Sequence, residues 1–174
     1  MSFSLYDATI PVFLQILPSI SNLLEKAEAW AIEKKVSDRE IIDARLAPDM
    51  LPFNYQVKST AVHSLGAIEG VRRGEFSPDM TEPPQSFPAL RERLAQTIEA
   101  LSNLTAEEVN GFNGRSMTFL FRDRRMEFTS ADAFLMRFSL PNFMFHATTA
   151  YDLLRMKGLD IGKRDYIGKL PLKS

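Results

Sequence analysis

The sequence predicts a mainly α fold, an up-down four-helix bundle with a small β-hairpin inserted before the last helix. Three observations predict it. Apolar residues recur at 3.6-residue spacing in four long stretches, one short stretch alternates in and out instead, and serines, prolines and glycines fall where helix ends require them. No internal repeat or low-complexity tract competes with this reading, and 174 residues suffice for one domain, residues 1–174, with a core of its own.

The first helical stretch runs from about Ser4 to Lys35, with Leu5, Ile10, Phe13, Leu17, Ile20 and Leu24 on its apolar side. Pro11 and Pro18 each remove a backbone donor and crowd the preceding turn, so a late start or a kink is expected. Ser37 and Glu40 have capping-box spacing, with Val36 and Ile41 placed as a hydrophobic staple, and they open a short helix. A second long helix follows from about Leu51 to Arg73, carrying Phe53, Val57, Ala61, Ile68 and Val71. Asp49 is read as its N-terminal cap and Gly74 as its C-terminal cap.

The acidic, proline-rich stretch through Pro78, Asp79, Glu82, Pro83 and Pro84 reads as a connection. Ser86 then caps a third helix with Pro88 in its first turn, and Phe87, Leu90, Leu94, Ile98 and Leu101 form a near-heptad seam that needs a helical partner. In MTFLFRDRRMEFT, Met117, Phe119 and Phe121, then Met126 and Phe128, alternate about a polar tip, which predicts the hairpin. The last helix opens near Ser130, is interrupted at Pro141 and ends at Gly158. The tail GKRDYIG, residues 162–168, is expected to dock through Tyr166 and Ile167.

Composition narrows the function. Hydrophobic residues at 45% and charged residues at 25% are ordinary for a globular chain, whereas 13 phenylalanines call for a bulky core, an apolar pocket or an interface. A net charge of −1 provides no field to gather nucleic acid, and no apolar run approaches the ~20 residues that span a bilayer. The absence of cysteine excludes disulfides, thiolate metal sites and a cysteine nucleophile. With no basic leader ahead of the first apolar stretch, a cytoplasmic protein is expected. There is no glycine-rich phosphate loop, no serine elbow and no carboxylate pair at acid–base spacing.

Chemistry concentrates on two histidines. Asn142 and His146 lie four residues apart on one helical face with Thr149 a turn beyond, and His63 lies on the second long helix. The i, i+4 spacing suits chelation, although an asparagine is a poor substitute for imidazole. The plainer alternative is a pair of helix histidines hydrogen-bonded to neighbours or water. Asp152 is expected to pair with Arg155, and Arg122, Arg124 and Arg125 to form a solvated turn.

Four segments together, SLYDATIPVF, ARLAPDMLPF, PNFMFHATTAYDLLR and GKRDYIG, resemble an uncharacterised family of the DinB-like superfamily. The resemblance spans nearly the whole chain and implies a DinB-like four-helix bundle, commonly a homodimer. Relatives of this kind often hold a divalent metal with three histidines, and some are thiol-dependent transferases or isomerases. On that pattern His63 matches the first ligand, His146 the last, and Asn142 stands where the remaining histidine belongs. A three-histidine site is therefore impossible here, since the chain has two. Two readings follow: a metal-free or weakly metal-binding protein that binds a small ligand or a partner, or a metal-dependent transferase using a small thiol cosubstrate.

Overall fold

A computed structural model describes residues 4–173. The domain limits expected at 1 and 174 lie outside those residues. Among the described residues nine α-helices and a three-stranded sheet follow one another: α1 (Leu5–Lys34), α2 (Asp38–Ile42), α3 (Phe53–Ala61), a π-helical turn (Val62–Gly66), α4 (Ala67–Arg73), β1 (Glu75–Phe76), α5 (Phe87–Ser102) and α6 (Ala106–Asn110) come first. β2 (Met117–Phe121), β3 (Arg124–Phe128), α7 (Ala131–Phe134), a second π-helical turn (Leu135–Ser139), α8 (Leu140–Met156) and α9 (Lys163–Ile167) complete the chain. The protein is mainly helical with a small sheet. Among the described residues no helix is long and apolar enough to cross a membrane.

α1 corrects one expectation. It begins at once, at Leu5, and stays helical for 30 residues through Pro11 and Pro18. The Ser4 hydroxyl accepts from the Asp7 amide while Asp7 bonds back to Ser4, and this capping box fixes the start ahead of the first proline. Asp49 is corrected too: α3 opens after Pro52 with no side-chain cap. Ser37, Ser86 and Ser130 do cap α2, α5 and α7. Arg155 pairs not with Asp152 but with the carbonyls of Leu159 and Ile161, closing the turn after α8.

α1 packs against α5, and α3 against α8. Phe13 of α1 meets Phe143 of α8 edge to face at 4.8 Å, in the middle of the helical layer. β2 pairs antiparallel with β3, and β1 adds a parallel edge with Phe76 beside Phe119. Phe76, Phe119, Phe128, Phe134 and Phe138 join that sheet to α7 and the second π turn, with neighbouring centroids 5.0–6.4 Å apart. α9 closes over α1: Gln15 Nε2 donates to Ile167 O, Lys26 pairs with Asp165, and the Tyr166 hydroxyl receives the Thr148 hydroxyl.

Gly70 of α4 lies at a close approach of helix and sheet. A Cβ there would stand 3.0 Å from Phe76 Cβ and 3.1 Å from Glu75 O, and the latter is backbone that cannot swing aside. Gly70→Ala is expected to lower stability by about 1–3 kcal/mol by levering β1 off α4. Urea unfolding checks it; an unchanged midpoint contradicts the packing described.

Candidate functional site

The two π turns bring the histidines together. In a π turn the helix widens by one residue, which disturbs the regular i→i−4 bonding. His63 sits in the first turn, and its backbone carbonyl accepts a 2.9 Å hydrogen bond from the hydroxyl of buried Ser139, which ends the second. The second turn lies directly before Pro141, whose missing N–H and bulky ring a regular α-turn there would have to accommodate. The proline thus reshapes the helix without ending it.

Across this junction the His63 and His146 rings lie nearly parallel, 17° apart in plane and 5.6 Å between centroids. Phe76 and Phe138 each pack 5.7 Å from His63, while Tyr55 and Phe145 edge His146 at 6.1 and 5.3 Å. His63 is buried and His146 half-buried, reached from the surface beside the exposed Phe145.

Gln56 fixes one tautomer. Its Nε2 donates to Leu51 O at 2.8 Å, which leaves Oε1, an acceptor, 2.7 Å from His146 Nδ1. That nitrogen therefore carries the proton, and Nε2 keeps its lone pair. His63 Nδ1 is enclosed with no hydrogen-bond partner. Burial, reinforced by the neighbouring His146 charge, pulls the His63 pKa down to about 3, and burial pulls His146 down to about 4. Both rings are neutral at physiological pH.

The structure thus brings His63 and His146 together, whereas the Asn142 amide Nδ2 donates 2.7 Å to Phe138 O in its own helix. Among the described residues no group of three His, Cys, Asp or Glu side chains is placed to hold a metal ion. Zn–N bonds of about 2.1 Å put two imidazole centroids roughly 5 Å apart at a tetrahedral angle, near the spacing seen. Among the described residues no third ligand of a closed centre stands beside the pair, and the Asn142 amide is engaged within its own helix, so the set does not fit a tight metal site. Nor do the nearby hydroxyls supply a nucleophile: Ser64 donates to Thr60 O, and Ser139 is committed to His63 O.

Sequence reasoning missed Gln56, Ser139, Phe76 and Phe138 as neighbours of the pair. Gln56 lies seven residues before His63, two helical turns away, and that spacing is the one signal that points to it.

A model of a family described as a domain of unknown function, DUF1993, matches residues 5–167. No curated protein matches the chain. Among solved structures, a DinB family member protein from Shewanella denitrificans is similar over 98% of this chain and 95% of that one, with a TM-score of 0.82 and 25% identity.

Proposed function

Since the chain belongs to the DUF1993 family of domains of unknown function, on a DinB-like fold, we propose that it is a small-ligand-binding protein on a four-helix-bundle scaffold whose polar site is the neutral His63–His146 pair. One observation carries this reading: His63 Nδ1 is buried without a partner beside a ring whose Nε2 lone pair is left available. A buried polar atom without a hydrogen bond costs about 1–3 kcal/mol, so a ligand that pairs with it recovers that loss on binding. Tyr55, Phe76 and Phe138 supply aromatic walls, and the ligand's own contribution is a hydroxyl, amide or thiol that bonds to imidazole. The same reading takes residues 1–174 as one domain, in the cytoplasm, with the hairpin inserted before the last helix. It also takes the protein as a homodimer, for which the exposed Leu46, Leu51 and Phe145 offer apolar surface.

The metal-dependent alternative, a transferase using a small thiol cosubstrate, is favoured by one observation. Gln56 holds His146 by the nitrogen opposite its free lone pair, the way carbonyls behind a metal site orient metal-ligating histidines. A bound ion would supply Lewis acidity toward a thiol. Against it stands the donor set, two imidazoles with Asn142 as third partner.

Zinc, nickel or manganese titrated into tag-free, EDTA-treated protein decides between them, followed by long-range 1H–15N histidine spectra. The expected result is two neutral rings at pH 7 and metal that a mild chelator removes. One equivalent of metal retained through dialysis against chelator, and lost in His146→Ala, would overturn the metal-free reading.

A further inference from the structure

We propose that the cavity between the first π turn, α5 and the segment after β1 is a second binding site, built for a small amphipathic carboxylate. It encloses about 320 Å³ and lies apart from the histidine pair, sharing one wall with it: Phe76 lines the cavity and also packs on the His63 ring. Ala61, Val62 and Leu65 extend that apolar wall. That wall suits the hydrocarbon body of a ligand, while Ser77, Gln96 and Thr97 stand among the polar residues of the lining.

The polar side is led by Arg93. Its Nη2 donates 2.9 Å to Asp79 Oδ2, its Nε is buried with no hydrogen-bond partner, and the side chain as a whole, which lines the cavity, keeps 37% of its exposure. Half of a guanidinium edge that matches a carboxylate is therefore unused. Arg93 is also held in place. Asp79 is pinned from behind by buried Lys58 at 3.0 Å and by the Thr81 amide and hydroxyl, so the arginine is anchored before any ligand arrives.

Charge selects the ligand's valence. Lys58 and Arg93 against Asp79 leave one positive charge, while Arg73 and Glu69 at the exposed rim offset each other. One negative charge is favoured. A phosphate dianion would face two carboxylates across the same small space, so a monoanionic carboxylate with an apolar body fits best.

The test is a 1H–15N titration of the full chain at neutral pH with benzoate, hexanoate and inorganic phosphate in separate arms. Expected are saturable, millimolar shifts for the two carboxylates at Leu65, Phe76 and Thr97, and weaker binding of phosphate. Arg93→Gln should weaken benzoate at least about tenfold, the scale of one charge-assisted hydrogen bond. Because that variant also loosens Asp79, Leu65→Trp provides an arm that leaves the ions alone. It fills the cavity and should abolish benzoate binding while the rest of the spectrum stays in place. Shifts that never saturate, phosphate binding more tightly than either carboxylate, or benzoate affinity unchanged in both variants overturns the proposal.

Discussion

Acidifying the metal-free protein from pH 7 toward pH 4 is expected to destabilise it strongly, and His63 with His146 should account for most of the loss. Each ring is neutral in the fold down to about pH 3 and 4 respectively, but protonates near 6.5 once the chain unfolds. Between those values the unfolded state binds more protons than the native state, so stability is complete above the unfolded pKa and falls as pH drops below it. Each histidine withdraws about 1.4 kcal/mol per pH unit across its window, and the two together up to about 3. Against a total of roughly 5–15 kcal/mol, two units remove most of the stability at the low end of that range and about a third of it at the high end. Urea midpoints measured at half-unit pH steps check this. His63→Phe, which keeps the backbone carbonyl that Ser139 needs, should reduce the slope by about half. A wild-type midpoint flat from pH 7 to pH 4.5 contradicts the burial described.

Asp79 does not confuse that measurement. Burial alone would raise its carboxyl, but hydrogen bonds from Thr81 and the Lys58 ammonium overcome this and hold it well below the usual carboxylate range. Its contribution is present above the unfolded carboxylate pKa and is lost as pH falls through the depressed folded value, below the histidine window.

Replacing Lys58 is the second large effect. This lysine is 1% exposed, yet its ammonium is fully partnered: it donates to Asp79 O at 2.8 Å, Thr81 O at 2.5 Å and Thr81 Oγ1 at 3.1 Å, and pairs with Asp79 Oδ1. A buried ion with complete partners is tolerated, and one whose partner is removed is not. Lys58→Met leaves two carbonyls and Thr81 Oγ1 without their buried donor and takes one cation from the Asp79 carboxylate, which keeps Arg93 and Thr81, and should cost about 3 kcal/mol. Lys58→Met with Asp79→Asn should cost less than the sum of the singles, because each single already breaks the Lys58–Asp79 pair. Thermal unfolding of the two singles and the double closes the cycle; a double mutant as unstable as the sum of the singles would show that the ion pair couples nothing.

How far the sequence spoke depends on the range of the interaction. Ser37, Ser86, Ser130 and Gly74 marked helix ends because a cap bonds to residues two or three away. Lys58 gave no such signal, since lysine is ordinarily exposed and its partners lie 21–23 residues on, in a stretch that read as a connection. Two-residue β1 is too short for alternation to register, and pairing with β2 forty-three positions away makes it a strand. For the site, the face shared by Asn142 and His146 was legible from spacing, and the pairing of His63 with them came from the family resemblance. The Ser139 bond belongs to tertiary packing that no local pattern encodes, and for the Gln56 contact only the seven-residue spacing from His63 pointed to it.

The widened turns at Val62–Gly66 and Leu135–Ser139 make residue number matter more than residue type along these two helices. One residue more or less in a helix rotates everything beyond it by about 100°. Without the extra residue of the first turn, α3 with Gln56 and Lys58 would no longer face α8 and the Asp79 loop while α4 still backed the sheet. Between related chains, a one-residue gap inside either turn therefore marks a different site, whatever the surrounding identity, whereas a gap in the stretch after Phe76 leaves both helical faces in phase.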